Sequence, residues 1–145
     1  GYDVKNDPLW WTEKLPKNVR VEFDIQALSP LGDMKFEIFG DGTTHASGYI
    51  CILGGWENSL DIIARLDEHG DDRQAQETIG ILPHTTYRIA VWRTEGDLVW
   101  YVNGRHFMTY RDQKPLQGEG HRYFAFNVWS APVRFDNFKV FSEKE

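Results

Sequence analysis

The chain has 145 residues, which is enough for one domain with a substantial hydrophobic core. Its net charge of −6 and the lack of any basic stripe disfavour nucleic-acid binding, and no apolar run is long enough for a membrane-spanning helix. The aromatic content of 14% is high, which favours β-strands and offers ring faces for stacking on flat ligands.

In chain order, residues 1–17 are mixed, with a candidate short strand at 2–4. From residue 19 onward, apolar and polar residues alternate with the period of two that is typical of half-buried strands. The main predicted strands are 19–28, 34–39, 49–53, 60–66, 77–81, 87–93, 98–102, 105–110, 123–129 and 133–141. No segment has the pattern of an amphipathic helix. Nine to eleven strands at this spacing predict one all-β domain over 1–145, an antiparallel β-sandwich or barrel.

Two local signals within these strands are specific. The Asn103-Gly104 pair predicts a two-residue type I′ hairpin, because both residues tolerate positive φ. Cys51 lies in an apolar run and is the only cysteine, so we expect a buried thiol and no internal disulfide.

The segment 48–73 carries the densest polar chemistry. Alternation along its second apolar run gives one strand face Asp61, Ile63, Arg65 and Asp67, and the other face Ile62, Ala64, Leu66 and Glu68. We expect the Ile62 face to pack in the core. The face with Arg65 then holds either an ion-pair network or a binding site, because unpaired charges on a strand are costly.

The second half of the chain resembles a known superfamily. A strand ending in Trp100-Tyr-Val-Asn-Gly104 is followed by Tyr123-Phe-Ala-Phe-Asn-Val-Trp129 and by a terminal Phe135-Asp-Asn-Phe-Lys-Val-Phe141 strand. This order resembles the concanavalin A-like lectin/glucanase jelly rolls, especially their LamG-like and bacterial polysaccharide-active members, over residues 19–141. The resemblance implies two stacked antiparallel sheets, one of them concave, with a groove that faces sugars in many members. We also predict that such a domain is exported.

The same resemblance gives few site residues. The Glu-x-Asp-x-x-Glu motif of laminarinase-type enzymes does not match residues 61–68, which argues against their style of catalysis. Asp136 occupies a position comparable to that of a calcium-binding aspartate on the terminal strand of several relatives, so a structural calcium ion is possible there.

Four carboxylates are candidates for glycosidic cleavage, which needs two carboxyl groups about 5–10 Å apart. They are Glu37, Asp61, Asp67 and Glu68. The simpler interpretation is that they are sheet-surface carboxylates paired with Lys35, Arg65 and Arg73. The cluster of acidic residues at 67–72 could also hold calcium, although its spacing lacks the regular calcium-loop pattern.

Aromatic and polar side chains that could bind a sugar form the second candidate set. The predicted ligand-binding residues are Trp56, Asn58, Arg65, Asp67, His69, Asn127 and Trp129. Arg65, Asp67, Asn127 and Trp129 would line one groove if they share the concave face. The alternative is that these aromatics pack against a loop or another subunit.

Three functions remain open at this point. The first is a carbohydrate-binding, lectin-like domain without catalysis, and the second is a glycan-cleaving hydrolase or lyase. The third is a structural or interaction domain without a small ligand. The missing catalytic motif favours the first and third, and the fold by itself decides none of them.

Overall fold

A computed structural model describes residues 5–142, which form eleven strands and one short helical turn. The first strands are β1 (Leu9–Trp10), β2 (Val19–Ala27), β3 (Met34–Gly40), β4 (Tyr49–Gly54), β5 (Leu60–Arg65) and β6 (Gln74–Glu77). The others are β7 (Thr86–Thr94), β8 (Asp97–Val102), β9 (Arg105–Arg111), β10 (Tyr123–Val128) and β11 (Val133–Ser142), and the turn α1 is Gly55–Asn58. The candidate strand at 2–4 lies outside the described residues.

The strands form two sheets in which the described pairings are antiparallel. One sheet has the order β1-β10-β3-β4-β5-β6, and the other has the order β11-β2-β7-β8-β9. Strands β3 to β6 pair in sequence, and so do β7 to β9, whereas the chain crosses between the sheets at β1–β2, β2–β3, β6–β7, β9–β10 and β10–β11. The predicted antiparallel β-sandwich is therefore confirmed.

The core lies between the sheets and is rich in aromatic rings. Alternate residues of β2 face it, and Phe23 at their centre is fully buried among four other phenylalanines. Each such ring contributes roughly 1.5–3 kcal/mol on burial, plus about 0.5–1.5 kcal/mol from edge-to-face contacts. The predicted inward face of β2 is confirmed, and Cys51 is buried as expected.

The orientation of β5 differs from the prediction. Ile63 packs in the core between the sheets, whereas Ile62 and Ala64 lie on the outer face with Ile50 and Ile52 of β4. These four residues form the outer apolar cluster and are nonetheless buried. The prediction is wrong because the polar residues that share the Ile63 face, Asp61 and Arg65, have partners within the protein, so that face can pack inward. The apolar Ile62 face is buried on the outer side of the sheet instead.

Two other strands also differ in detail. The strand expected at 77–81 is instead β6, an edge strand that pairs backbone to backbone with β5 while its side chains stay mostly exposed. In β11 the register shifts between Asp136 and Lys139, which lets Phe135 and Phe138 both pack against the core. The Asn103-Gly104 hairpin has positive φ at both residues, as predicted.

Candidate functional site

A cavity of about 620 Å³ opens on the outer face of the six-stranded sheet, where β3 begins and β10 ends. The side chains that matter for its chemistry are Asn6, Asp33, Lys35, Trp56, Glu68 and Trp129. Its size is within the range of small-molecule sites, and it combines aromatic rings with a few polar groups, as such sites usually do.

Trp56 is presented by the turn α1, whose backbone is unusual. Trp56, Glu57 and Asn58 all have φ between 50° and 59°, in the left-handed region that non-glycine residues rarely adopt. Each such residue costs on the order of 1 kcal/mol or more. The turn brings the chain from β4 to β5 and leaves the Trp56 ring 37% exposed at the cavity.

Asn58 stabilises this turn from inside. Its Nδ2 donates to the Ile81 carbonyl oxygen at 2.8 Å, and its Oδ1 accepts from the Ile81 amide at 3.0 Å. Asp61, one of the predicted catalytic residues, is fully buried at the base of the same turn and accepts from the Gly54 amide at 2.9 Å. Burial raises the pKa of Asp61. Asn58 and Asp61 therefore support the turn and do not line the cavity.

Trp129 flanks the other side of the cavity, directly after β10. It is 48% exposed, pairs with Lys5 in an isolated bridge, and has the Lys5 ammonium 5.3 Å from its ring centroid. Ser130 beside it has φ of 57°, so left-handed backbone adjoins the cavity on this side as well. Exposed indole rings thus border the cavity on two separate loops.

The polar floor is built on Lys35 of β3. Its side chain is only 2% exposed, and its Nζ donates to Asn6 Oδ1 at 2.8 Å and lies 3.2 Å from Glu68 Oε2. Glu68 belongs to the loop after β5, and β4 separates β5 from β3 in the sheet. That loop must therefore cross the outer face of β4, where it covers part of the outer apolar cluster.

Behind Lys35, Glu37 and Asn127 form a buried polar pair on the same sheet face. Glu37 is inaccessible and accepts from Asn127 Nδ2 at 2.8 Å and from the Ala46 amide at 2.7 Å. The His45 Nδ1 lies 3.0 Å from the same carboxylate. Glu37 is fully buried and does not line the cavity, and its hydrogen bonds hold Asn127 and the loop before β4 in place.

Asp33 also lines the cavity, in a left-handed conformation with φ of 53°. Burial raises its pKa, the nearby Lys35 ammonium opposes that effect, and the charge of Glu68 adds to it. Asp33 and Glu68 therefore place two carboxyl groups around one lysine in the same cavity.

The structure brings together only part of the predicted site. Trp56, Glu68, His69 and Trp129 line the cavity, with the His69 ring 5.6 Å from the Trp56 ring, and Asn127 lies behind the floor. Asp67 is exposed in the loop after β5, where its carboxylate accepts from the His69 amide.

The position of Arg65 differs most clearly from the prediction. Its Nε donates to Asp112 Oδ2 at 2.8 Å and its Nη2 donates to the Lys114 carbonyl oxygen, on the sheet face opposite to Asn127. The prediction that Arg65 shares a groove with Asn127 and Trp129 is wrong, because Arg65 follows the orientation of Ile63. Its charge is neutralised within the protein.

Sequence reasoning missed Asn6, Asp33 and Lys35. Alternation along β3 already placed Lys35 and Glu37 on one face, and that signal could have drawn attention to Lys35. In the sequence, Asp33 lies among ordinary turn residues and carries no signal of a site. Asn6 reaches the site because the neighbouring Lys5 pairs with Trp129, a contact that the sequence does not indicate.

Within residues 5–142, no group of three or more His, Cys, Asp or Glu side chains is arranged to hold a metal ion. Asp136 is exposed on β11, where its Oδ1 accepts from the Asn137 amide. Calcium binding at Asp136 stays a prediction. Among the helices of the described part of the chain, none is long and apolar enough to cross a membrane.

Comparison with solved structures identifies the fold. Carbohydrate-binding module CBM66 of Bacillus subtilis superposes with a TM-score of 0.76 at 16% identity, covering 96% of this chain and 84% of that one. Sheep galectin-11 gives a TM-score of 0.71 at 14% identity, with 93% and 98% covered. A galectin of Caenorhabditis elegans gives 0.71 at 11% identity, with 98% and 100% covered.

These neighbours are concanavalin A-like jelly rolls, and the predicted fold is therefore confirmed. At such identities the likeness establishes the fold alone. The sequence matches no protein-family model and no curated protein.

Proposed function

We propose that this domain binds a neutral carbohydrate and that the cavity flanked by Trp56 and Trp129 receives a terminal sugar unit. The observation that carries the proposal is the pair of exposed indole rings beside a polar floor built on Lys35. An indole face can cover the apolar side of a sugar ring, while ammonium, amide and carboxylate groups pair with its hydroxyls. The galectins and the carbohydrate-binding module among the structural neighbours support this function.

The charge of the cavity favours a neutral sugar. Asp33, Glu57 and Glu68 line it together with one lysine, and that lysine already pairs with Glu68. A uronate or sulfate group would therefore meet net negative charge among the lining residues, since the nearby cations Lys5 and Arg73 lie over the Trp129 and Trp56 rings. Carboxylates are good acceptors for sugar hydroxyls, and each can bind two of them.

The covered sheet face favours the end of a glycan over its middle. A long groove would need the outer faces of β4 and β5 to be open, but Ile50, Ile52, Ile62 and Ala64 are each at most 1% exposed. The loop that carries Glu68 crosses this face. The remaining cavity suits one or two sugar units.

Affinity electrophoresis and a glycan array of neutral and acidic glycans test the proposal. We expect retention on at least one neutral glycan, and a loss of about tenfold or more in affinity for Trp129→Ala and for Trp56→Ala. Phe141→Ala is the matched control, because it removes an exposed aromatic ring far from the cavity. No retention of the wild type on any glycan, or retention unchanged in both tryptophan variants, would contradict the proposal.

A second candidate function is cleavage of a glycan, and one observation favours it. Asp33 shares the cavity with Glu68, burial raises the pKa of Asp33, and glycoside hydrolysis uses two carboxyl groups placed in different environments. Release of reducing ends from a bound glycan would support this function, with loss of release in both Asp33→Asn and Glu68→Gln. Binding without release leaves the lectin-like function alone.

A further inference from the structure

A second cavity, of about 360 Å³, lies at the opposite end of β3 from the sugar site. It is lined by Lys17, Phe39, Arg93, His121 and Arg122 among others, and no carboxylate of the described residues lines it. The first cavity opens at the start of β3 and this one beyond Ile38, so a ligand in one does not overlap with a ligand in the other.

Arg93 is the feature of this cavity that needs an explanation. It ends the inward-facing row of β7, is 1% exposed, and belongs to the cavity wall. Neither its Nη1 nor its Nη2 has a hydrogen-bond partner among residues 5–142, and its Nε makes only a 3.4 Å contact with the Lys17 carbonyl oxygen. A buried guanidinium without partners is expensive, and buried polar groups of native proteins are nearly always satisfied.

The surroundings do not neutralise this charge. Arg93 takes part in none of the ion pairs within the described residues, and the carboxylate that acts on it, Asp112, is already bound by Arg65 and by the Tyr49 hydroxyl. Burial lowers the pKa of Arg93, and the nearby Tyr49 hydroxyl, as a hydrogen-bonding neighbour, and the charge of Asp112 oppose this only in part. The Tyr49 hydroxyl donates to Asp112 and is not in a geometry that pairs with either Nη atom. Lys17 and Arg122 add further positive charge at the rim, where Arg122 pairs with the exposed Glu119 at 3.6 Å.

The backbone also holds the guanidinium in place. Phe39 has φ of 60°, which is strained for a bulky residue, and with this conformation the side chains of both Ile38 and Phe39 lie in the core. The Arg93 guanidinium carbon lies 3.6 Å from the centroid of the Phe39 ring. The ring covers one face of the guanidinium, and both buried Nη atoms at its edge lack a partner among the described residues. Such an edge can pair with two oxygens of a planar or tetrahedral oxyanion.

We propose that this second cavity is an oxyanion-binding site, in which Arg93 receives a carboxylate, sulfate or phosphate group through its two Nη atoms. Lys17 and Arg122 supply the remaining positive charge at the rim. The volume accommodates either a free inorganic anion or the charged group of a sugar-sized molecule such as a uronic acid.

Isothermal titration with sodium sulfate, sodium phosphate, sodium glucuronate and glucose, at constant ionic strength, tests this proposal. We expect saturable binding of at least one of the three anions and none of glucose at this site. Arg93→Met should weaken that binding about tenfold or more. Arg88→Gln is the matched control, because Arg88 lies on the same strand but faces outward and pairs with Glu22 and Asp24.

The arms of the experiment separate the sources of the anion. Binding of glucuronate alone would identify a sugar acid, and binding of sulfate or phosphate would identify an inorganic or ester group. A ¹⁵N spectrum of the wild type gives an independent readout, since the Arg93 Nε–H signal should shift with the bound anion. If Arg93→Met does not fold, Arg93→Lys and Arg122→Gln replace it. No saturable binding of any anion by the wild type, or equal binding by the arginine variants, would overturn the proposal.

Discussion

Asp33 is a residue at which binding and stability oppose each other. Burial raises its pKa, so the ionised carboxylate is less favourable in the folded protein than in the unfolded chain. This destabilisation is fully present above the folded pKa, and it disappears as the pH falls through that pKa towards the unfolded value of 3.8. A carboxylate retained in an aromatic cavity at such a cost is expected to serve a ligand.

Asp33→Asn should therefore raise the melting temperature at neutral pH by a few degrees while weakening sugar binding about tenfold. The stability difference between variant and wild type should shrink as the pH is lowered, because the wild-type carboxyl group then becomes neutral as well. Calorimetric melting from pH 7 to pH 4 measures the first effect, and affinity electrophoresis measures the second. A variant less stable than the wild type at pH 7 would contradict this assignment.

At the scale of elements, the turn α1 and the loop after β5 decide the shape of the sugar site. The turn stores strain at three consecutive left-handed residues, and the Asn58 clamp on Ile81 holds them. The loop places His69 and Arg73 against the Trp56 ring, with the Arg73 guanidinium 4.9 Å from its centroid. The orientation of Trp56 thus depends on both segments.

Asn58→Ala should lower the free energy of unfolding by about 1–3 kcal/mol, because it leaves the buried Ile81 amide and carbonyl unpaired. It should also weaken sugar binding, since Trp56 loses its fixed turn. Urea denaturation and affinity electrophoresis measure the two effects.

Asn137→Ala is the control, because it replaces another left-handed asparagine that lies away from the sugar site. Asn137 also has a left-handed φ, of 54°, and its side-chain Nδ2 donates to Asp24 Oδ2 on the surface of the other sheet. We expect the Asn137→Ala variant to bind sugar as the wild type does. If Asn58→Ala bound sugar like the wild type, the turn would not control Trp56.

At the scale of the whole molecule, Asp112 joins the two sheets at the end of β9. Its Oδ2 accepts from Arg65 Nε on β5 at 2.8 Å and from the Tyr49 hydroxyl on β4 at 2.7 Å. Burial alone would raise the pKa of Asp112, but its hydrogen bonds from Tyr49, Lys114 and Arg65 prevail and lower it. The pKa of Tyr49 rises to about 12, because it is buried and donates to this carboxylate.

Asp112→Asn should cost about 1–3 kcal/mol of unfolding free energy at neutral pH. Since the folded pKa is lowered, the carboxylate contributes its stability above the unfolded value of 3.8, and this contribution is lost as the pH falls from there through the folded pKa. Urea denaturation at several pH values should show the difference between variant and wild type closing in acid.

Asp24→Asn provides the surface comparison, because Asp24 pairs with the partly exposed Arg88. It should cost less than about 1 kcal/mol. If Asp112→Asn and Asp24→Asn lowered the free energy of unfolding equally, Asp112 would not connect the sheets.

Local sequence patterns determined the strands and the class of fold. The alternation of β2, the Asn103-Gly104 hairpin and the burial of Cys51 all depend on neighbouring residues, and all three are as predicted. Period-two alternation predicts which residues share a strand face, and this prediction is correct for Asp61, Ile63 and Arg65.

Only the tertiary structure decided which face of β5 meets the core and which charges meet each other. Arg65 lies 47 residues from Asp112, and Lys35 reaches Glu68 across an intervening strand. Such pairings depend on how loops cross the sheet, which no local period encodes. Asp61 and Arg65 favour an outward position for the Ile63 face, and only their contacts with Gly54 and Asp112 allow that face to pack inward. The unpaired guanidinium of Arg93 likewise appears only when β7, Phe39 and the loop before β10 come together at one end of the sandwich.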